Sequence, residues 1–292
     1  MHSLISSYIE IIKPRIVFGN LISLIAGFFV ALKGEISYSL LVNVLLGVFF
    51  ITASASIFNN YFDRNIDSLM KRTKNRVLVT KEINTNFALI YGILLFLIGF
   101  IWLLLKTNKL VLFFTLFGFI FYALIYTYTK RVTSYSILIG SLSGAVLPLI
   151  GYCALSSALN LEIIILFFIF ILWQMPHSYC IILLHLNDYR SAKIPVLPLI
   201  KSIYITKIHI FIYIFFFIIL KFFYFFKYIK HHFFFIHNFL DILWFFLSII
   251  GFKDNLNEKI WSRSIFIFSI IIIMLTNIII IYNKLVILYF NN

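Results

Sequence analysis

Long apolar stretches dominate this 292-residue chain and limit what it can fold into. A helix needs about 20 apolar residues to cross a bilayer, and in lipid it satisfies its own backbone hydrogen bonds. Only 12% of the residues are charged, whereas soluble domains contain about 25%. The sequence therefore predicts an all-α polytopic membrane protein of about nine transmembrane helices, forming a single domain over residues 1–292. The predicted spans are residues 16–33, 39–58, 86–105, 110–128, 136–156, 161–183, 205–226, 234–252 and 265–289.

The formal net charge of +14 is distributed unevenly between the two sides of the predicted membrane. Most basic residues lie in segments on the same side as the N-terminus, including the long loops 59–85 and 184–204. The positive-inside rule puts the N-terminus and these loops in the cytoplasm, and long loops on one face indicate that the chemistry opens there. This distribution accounts for the charge, so we expect the lipid bilayer as a partner and no nucleic acid.

A polar helix face begins where the second apolar span ends. Asn59, Asp63 and Asp67 are spaced i, i+4 and i+8, and fall within an arc of about 80°. Carboxylate and amide oxygens suit Mg²⁺, and two carboxylates at this spacing repel each other unless a cation joins them. We predict that these residues bind Mg²⁺, although either Asn59 or Asn60 could instead satisfy neighbouring backbone groups.

Basic residues follow this face at once, at Lys71, Arg72, Lys74 and Arg76. We interpret Lys74 as part of a solvated positive-inside loop. Arg72 and Arg76 follow the carboxylates by five to nine residues, so they are predicted to fold back over the same site. There the guanidinium fork would match phosphate oxygens. The pattern indicates a diphosphate bound through the metal.

A second polar cluster follows the sixth apolar span. It begins at Trp173 and contains Pro176, which should kink the helix and free a carbonyl, followed by His177. A lone histidine is more often a hydrogen-bonded packing residue than a ligand, so both interpretations of His177 stay open. Asp188 is the only acidic residue of the 184–204 loop, and we predict that it contributes the third carboxylate, for a second Mg²⁺.

A third group, residues 126–131, lies at the cytoplasmic end of the fourth span and adds hydroxyl groups and positive charge at the same depth. By itself it would fit an ordinary interfacial belt. Together, Mg²⁺, carboxylates and basic donors would stabilise a departing diphosphate, while aromatic walls would stabilise an allylic cation. The predicted reaction class is prenyl transfer to a lipophilic acceptor, which the residues leave unnamed.

These motifs resemble a known family. Asn59-Asn60-x-x-Asp63-x-x-x-Asp67 is similar to the first aspartate-rich motif of the UbiA-type intramembrane prenyltransferases. The longer run 59–76, the Trp-Gln-Met-Pro-His run at 173–177 and the stretch 188–198 resemble the haem-farnesylating branch of that family. The resemblance covers roughly residues 8–275.

The resemblance implies helices around a central cavity in the bacterial inner membrane, Mg²⁺ as cofactor, farnesyl diphosphate as donor and haem B as acceptor. It implies haem O as product, with handover to a terminal oxidase or a haem A-forming enzyme. The implied metal ligands are Asn59, Asp63, Asp67 and Asp188, and the implied catalytic residues are Asp63, Asp67, Arg72 and Asp188. The implied substrate-binding residues are Asn60, Arg64, Arg72, Arg76, Tyr126, Lys130, Arg131, Trp173, His177, Tyr189 and Lys193, with His177 on the haem side.

Two positions depart from the family pattern. Ala192 stands where aromatic-acid members carry a second aspartate, which favours the haem branch, and Ser136 stands where an asparagine is expected. A prenyltransferase acting on an aromatic quinone precursor is the alternative within the class. A cation transporter is the alternative from another class, although the neighbouring Arg and Lys would repel a permeant cation. The intact polar residues argue against an inactive relative.

Overall fold

The architecture is helical throughout the part of the chain that the computed structural model describes, residues 4–229 and 234–290. The all-α prediction is confirmed. A π-helical segment, Ile120–Tyr126, joins α5 to α6. The helices are α1 (Leu4–Ile11), α2 (Pro14–Ala31), α3 (Tyr38–Asp67), α4 (Thr85–Lys106), α5 (Lys109–Phe119), α6 (Thr127–Thr129), α7 (Ser136–Leu155), α8 (Leu161–Leu184), α9 (Leu186–Ser191), α10 (Leu197–Ile200), α11 (Ile203–Tyr228), α12 (Phe234–Ile250) and α13 (Glu258–Phe290).

Eight helical segments of the described chain are long and apolar enough to cross a membrane. The predicted span 234–252 corresponds to α12, whose 17 residues are at the lower limit for a crossing helix. Exposed apolar side chains recur every three or four residues along α4, at Phe87, Ile90, Leu94 and Leu97. Such a stripe is what a helix presents to lipid. The chain is a multi-pass integral membrane protein, and the prediction of about nine spans is confirmed.

Two helices differ from their predicted spans in ways that shape the site. Helix α3 continues beyond the predicted end at residue 58 to Asp67, so the whole carboxylate face is helical. The fourth span changes from α to π geometry at 120–126, and the Thr127 hydroxyl donates to the carbonyl of Tyr122 at 3.1 Å. That bond satisfies a carbonyl within the π-helical segment. Short π-helical segments of this kind often lie at functional sites. Helix α8 is continuous through Pro176.

Helices α2 and α7 pack with their backbones in direct contact. A Cβ atom on Gly27 would lie 1.9 Å from the carbonyl oxygen of Pro148, and one on Gly151 would lie 1.9 Å from that of Leu24. Only glycine allows helices to approach so closely, and small residues serve this purpose in membrane bundles. Helix α3 also packs against the π-helical segment, and Asn59 near its end donates to the hydroxyl of Thr127, the first residue of α6.

Candidate active site

The end of α3 carries the predicted carboxylate face, and the structure buries it. Asp63 is 2% exposed and Asp67 is 4% exposed. The side-chain nitrogen of Asn59 donates to Oδ2 of Asp63 at 2.8 Å and to Oγ1 of Thr127 at 3.2 Å. The predicted grouping of Asn59, Asp63 and Asp67 on one helix face therefore occurs in the folded chain.

Cations from distant segments surround these carboxylates. Lys130 forms an ion pair with Oδ2 of Asp63, and Nη2 of Arg131 lies 3.4 Å from Oδ1 of the same residue. Nη1 of Arg76 lies 2.6 Å from Oδ2 of Asp67. Burial lowers the pKa of Lys130, and the adjacent Asp63 acts in the opposite direction. The structure thus brings Arg76, Lys130 and Arg131 to the carboxylates, where a buried charge needs a partner.

Lys13 belongs to the same cluster, although the sequence did not single it out as a site residue. Its Nζ donates to Oδ1 of Asn59 at 2.9 Å, and its backbone is left-handed with φ 55°. Burial and the nearby positive charge of Arg76 lower the pKa of Lys13 to about 7. The adjacent Pro14 could have pointed to Lys13, because a proline at the first position of α2 places Lys13 at the start of that helix.

Asn60 and Arg64 contact other parts of the protein. The Asn60 side-chain nitrogen donates to the carbonyl of Ile11 at 2.9 Å and links α1 to α3. Arg64 donates to the carbonyl of Tyr61 at 2.7 Å and lies 4.7 Å from the centre of its ring. Among the described contacts of Arg64, none joins it to the carboxylates, because it lies about 100° around the helix from Asp63. Asn60 still lines a small pocket together with Lys13.

Asp188 lies on α9 and binds the loop that follows α3. Its Oδ1 accepts from the backbone N–H of Lys71 and its Oδ2 accepts from that of Arg72, both at 3.1 Å. The carboxylate thereby fixes the start of the basic loop, an arrangement that the sequence did not predict. Each carboxylate oxygen has a further lone pair, so this bonding leaves room for another partner.

Two predicted site residues, Tyr126 and Tyr189, lie close to charged side chains of the site. The ring of Tyr126 lies 5.6 Å from Nζ of Lys130 and stacks with Tyr122. Burial raises the pKa of Tyr189, and the charges of Arg72 and Arg76 act on it in the opposite direction. Both tyrosines therefore lie near the charged cluster, and their role in substrate binding stays a prediction.

Lys193 is exposed at the end of α9, with φ 53°. No described contact joins it to the cluster.

Trp173 and His177 pack against α13. The indole Nε1 of Trp173 donates to the carbonyl of Ser269 at 2.7 Å, and Nδ1 of His177 is hydrogen-bonded to the Ser269 hydroxyl at 2.8 Å. The His177 ring lies between those of Trp173 and Phe266, with centroid distances of 5.1 and 4.8 Å. The hydrogen bond between Nδ1 and Ser269 fixes the orientation of the ring.

A cavity of about 140 Å³ lies within the bundle, and α3 lines it from Val48 to Ser56, just before Asn59. Its walls are mainly apolar, with Tyr122 and Ser56 among them and the amide of Gln174 facing Gly144. A Cβ atom on Gly144 would lie 2.4 Å from Oε1 of Gln174, so glycine is required for this contact. The predicted central cavity is present, and its mainly apolar lining suits an apolar chain.

The donor set fits Mg²⁺ held jointly by protein and substrate. Among residues 4–229 and 234–290, no group of three or more His, Cys, Asp or Glu side chains could hold a metal ion by itself. Mg²⁺ is usually bound through one or two carboxylates together with substrate phosphates. Asp63 and Asp67 supply such carboxylates, and the basic side chains around them suit the phosphates.

The sequence matches the model of the UbiA prenyltransferase family over residues 20–270. The chain belongs to the UbiA prenyltransferase family. The similar curated proteins include the protoheme IX farnesyltransferases of Sodalis glossinidius (strain morsitans) and Yersinia pseudotuberculosis serotype O:1b (strain IP 31758). Each is 43% identical over 272 residues, which cover 92% of this chain and 92% of the relative. The resemblance inferred from the motifs is confirmed.

Solved structures with the UbiA fold superpose along almost the whole chain. A structure of digeranylgeranylglyceryl phosphate synthase gives a TM-score of 0.79 at 20% identity, covering 96% of this chain and 98% of the other. A UbiA homologue from Archaeoglobus fulgidus bound to GPP and Mg²⁺ gives a TM-score of 0.72 at 16% identity, covering 95% of this chain and 100% of the homologue. This UbiA family member is therefore a membrane-embedded prenyltransferase with the family fold.

Proposed function

We propose that this protein transfers the farnesyl group of farnesyl diphosphate to a vinyl group of haem B and so produces haem O. The observation that carries the proposal is the buried pair Asp63 and Asp67, which forms ion pairs with basic side chains and lies near an apolar cavity. The similarity to protoheme IX farnesyltransferases over 92% of the chain supports haem as the acceptor.

The carboxylate cluster would hold the donor. Asp63 and Asp67, with Asn59, would bind Mg²⁺, which when bound supplies positive charge that stabilises the departing diphosphate. Arg76 and Lys130 would donate to the phosphate oxygens in place of part of their present ion pairing, and Arg72 would donate through its guanidinium group. Lys13, held at Asn59, would add a further donor.

The cavity would hold the farnesyl chain and exclude water from it. The C1–O bond of the donor breaks, diphosphate leaves with the electron pair, and the terminal vinyl carbon of haem bonds to C1. Water then adds to the adjacent carbon and loses a proton, which gives the hydroxyethylfarnesyl group. The rings of Tyr122 and Tyr126 near the carboxylates would stabilise the allylic cation through their π faces.

Asp188 would act at the loop side of the same site. Its bonds to the amides of Lys71 and Arg72 support a role in holding Arg72 near the diphosphate. Its remaining lone pairs could also bind a second Mg²⁺, which is the role that the resemblance implies. His177 and Trp173 would contact haem from the α8–α13 side. This end of the bundle would face the cytoplasm of a bacterial inner membrane, with haem O passing to a terminal oxidase or a haem A-forming enzyme.

The proposal is tested by incubating membranes that contain the protein with Mg²⁺, farnesyl diphosphate and haem B, and analysing the extracted haems by mass. The expected product is heavier than haem B by one farnesyl group and one hydroxyl group. It should disappear when Mg²⁺ is chelated and return when Mg²⁺ is added back. Unchanged haem, together with diphosphate release upon adding an aromatic acid, would instead assign the protein to the quinone-precursor branch.

A further inference from the structure

A second cavity lies between the basic loop after α3, the segment 183–188 and the start of α13. It has a volume of about 620 Å³ and is lined on one side by Lys71, Arg72 and Lys259 and on another by apolar side chains such as Leu184 and Ile203. We call it the basic cavity. Arg72 and Asp188 line both this cavity and the donor site, but the donor chemistry described above uses neither Lys71 nor Lys259.

The acidic side chains of the basic cavity are already bonded. Asp188 accepts from the amides of Lys71 and Arg72, and Oε1 of Glu258 lies 2.6 Å from Nζ of Lys207. Within residues 4–229 and 234–290, no ion pair engages the side chains of Lys71, Arg72 or Lys259. The basic cavity therefore carries excess positive charge against an apolar wall.

His185 lines the same cavity as Arg72 and Lys259, beside the apolar side chains of Leu184 and Leu186. A ligand that fits this environment is amphipathic, with an apolar body and an anionic edge.

The position of the basic cavity relates it to the acceptor. His185 follows the end of α8, about two helical turns and roughly 12 Å beyond His177. A protohaem molecule is apolar over its ring and carries its two propionates across the ring from the vinyl group that reacts. We propose that the basic cavity binds the propionate carboxylates of haem, with Lys71 and Lys259 as the cations that receive them. This inference rests on the proposed function and names how its acceptor is recognised.

The test compares protohaem with its dimethyl ester, in which both propionate charges are removed. Steady-state rates are measured with saturating farnesyl diphosphate for the wild type, Lys71→Gln, Lys259→Gln and the double variant. For the free acid, each substitution should lower kcat/KM for haem about three- to fivefold, as expected for a partly exposed ion pair. For the diester, the wild type and the double variant should have equal kcat/KM.

Matched controls separate this effect from a general loss of positive charge. Lys74 is exposed in the same loop as Lys71, and Lys253 is exposed before α13, and neither lines the basic cavity. Lys74→Gln and Lys253→Gln should leave both haem substrates unaffected. The KM for farnesyl diphosphate should stay the same in all of these variants.

Four results would overturn the inference. If the wild type uses the diester as well as the free acid, or if the double variant loses the same factor on both, the lysines do not receive the propionates. If activity depends instead on anionic lipid in nanodiscs, and the lysine variants remove that dependence, the bound anion is a phospholipid headgroup. If the wild type forms no haem product from either substrate, the proposed function itself fails, which distinguishes the two failures.

Discussion

The carboxylate of Asp188 accepts a hydrogen bond from the backbone N–H of Arg72 at 3.1 Å, although the two residues lie 116 positions apart. Its other oxygen accepts from the N–H of Lys71. The conformation of the loop after α3 therefore depends on a side chain of α9. This relationship distinguishes two roles for Asp188, since a positioning residue and a metal ligand respond differently to substitution.

We expect Asp188→Ala to raise KM for farnesyl diphosphate about tenfold, because two amide groups lose their acceptor and Arg72 is no longer held in place. The Mg²⁺ concentration that gives half-maximal activity should change little. The measurement is a Mg²⁺ titration at saturating donor. A large rise in the required Mg²⁺ would mean that Asp188 is a metal ligand, as the resemblance implies.

Substitution of the carboxylate pair should be far more damaging. Asp63→Asn and Asp67→Asn should each lower turnover by roughly 100-fold or more, because charge stabilisation of the leaving group depends on the bound metal. Haem O formation in membranes, normalised to inserted protein, is the measurement. Asp254→Asn, at an exposed loop position, is the control and should behave as the wild type. Normal activity in either active-site variant would exclude the metal assignment.

His177 should affect the acceptor more than the donor. We expect His177→Ala to raise KM for haem about tenfold and to change KM for farnesyl diphosphate less than about twofold, because the ring lies at the α8–α13 contact away from the carboxylates. Ser269→Ala, which removes only the hydroxyl partner, should give a smaller change in the same direction. Equal losses for both substrates would mean that His177 only supports helix packing.

The contact between Gly144 and Gln174 should set the space for the prenyl chain. A Cβ atom at position 144 would lie 2.4 Å from Oε1 of Gln174, so Gly144→Ala should push that amide into the cavity. We expect KM for farnesyl diphosphate to rise about tenfold, and KM for the shorter geranyl diphosphate to rise less.

The comparison for this variant is Gly19→Ala, since an added Cβ there meets nothing within 4 Å. Gly19→Ala should leave both KM values unchanged. If Gly144→Ala raises KM equally for farnesyl and geranyl diphosphate, the cavity wall at Gln174 does not select donors by the length of their prenyl chain.

Local periodicity made much of the site predictable. The i, i+4, i+8 spacing put Asn59, Asp63 and Asp67 on one helix face before any fold was known, because helix geometry depends only on nearby residues. Arg76 contacts Asp67, from which only nine positions separate it, whereas the described hydrogen bond of Arg72 joins its backbone to Asp188. Arg64 was predicted to bind substrate by the resemblance, yet its described contacts are with Tyr61.

The sequence by itself determined the membrane class, the approximate spans and the carboxylate face, because each follows from apolar length or helical repeat. Only the tertiary structure decided which distant groups meet that face. Lys13 reaches Asn59 across 46 positions, and Asp188 reaches Lys71 across 117. Such pairings depend on how helices pack, here through backbone contact at Gly27, and no local pattern encodes them.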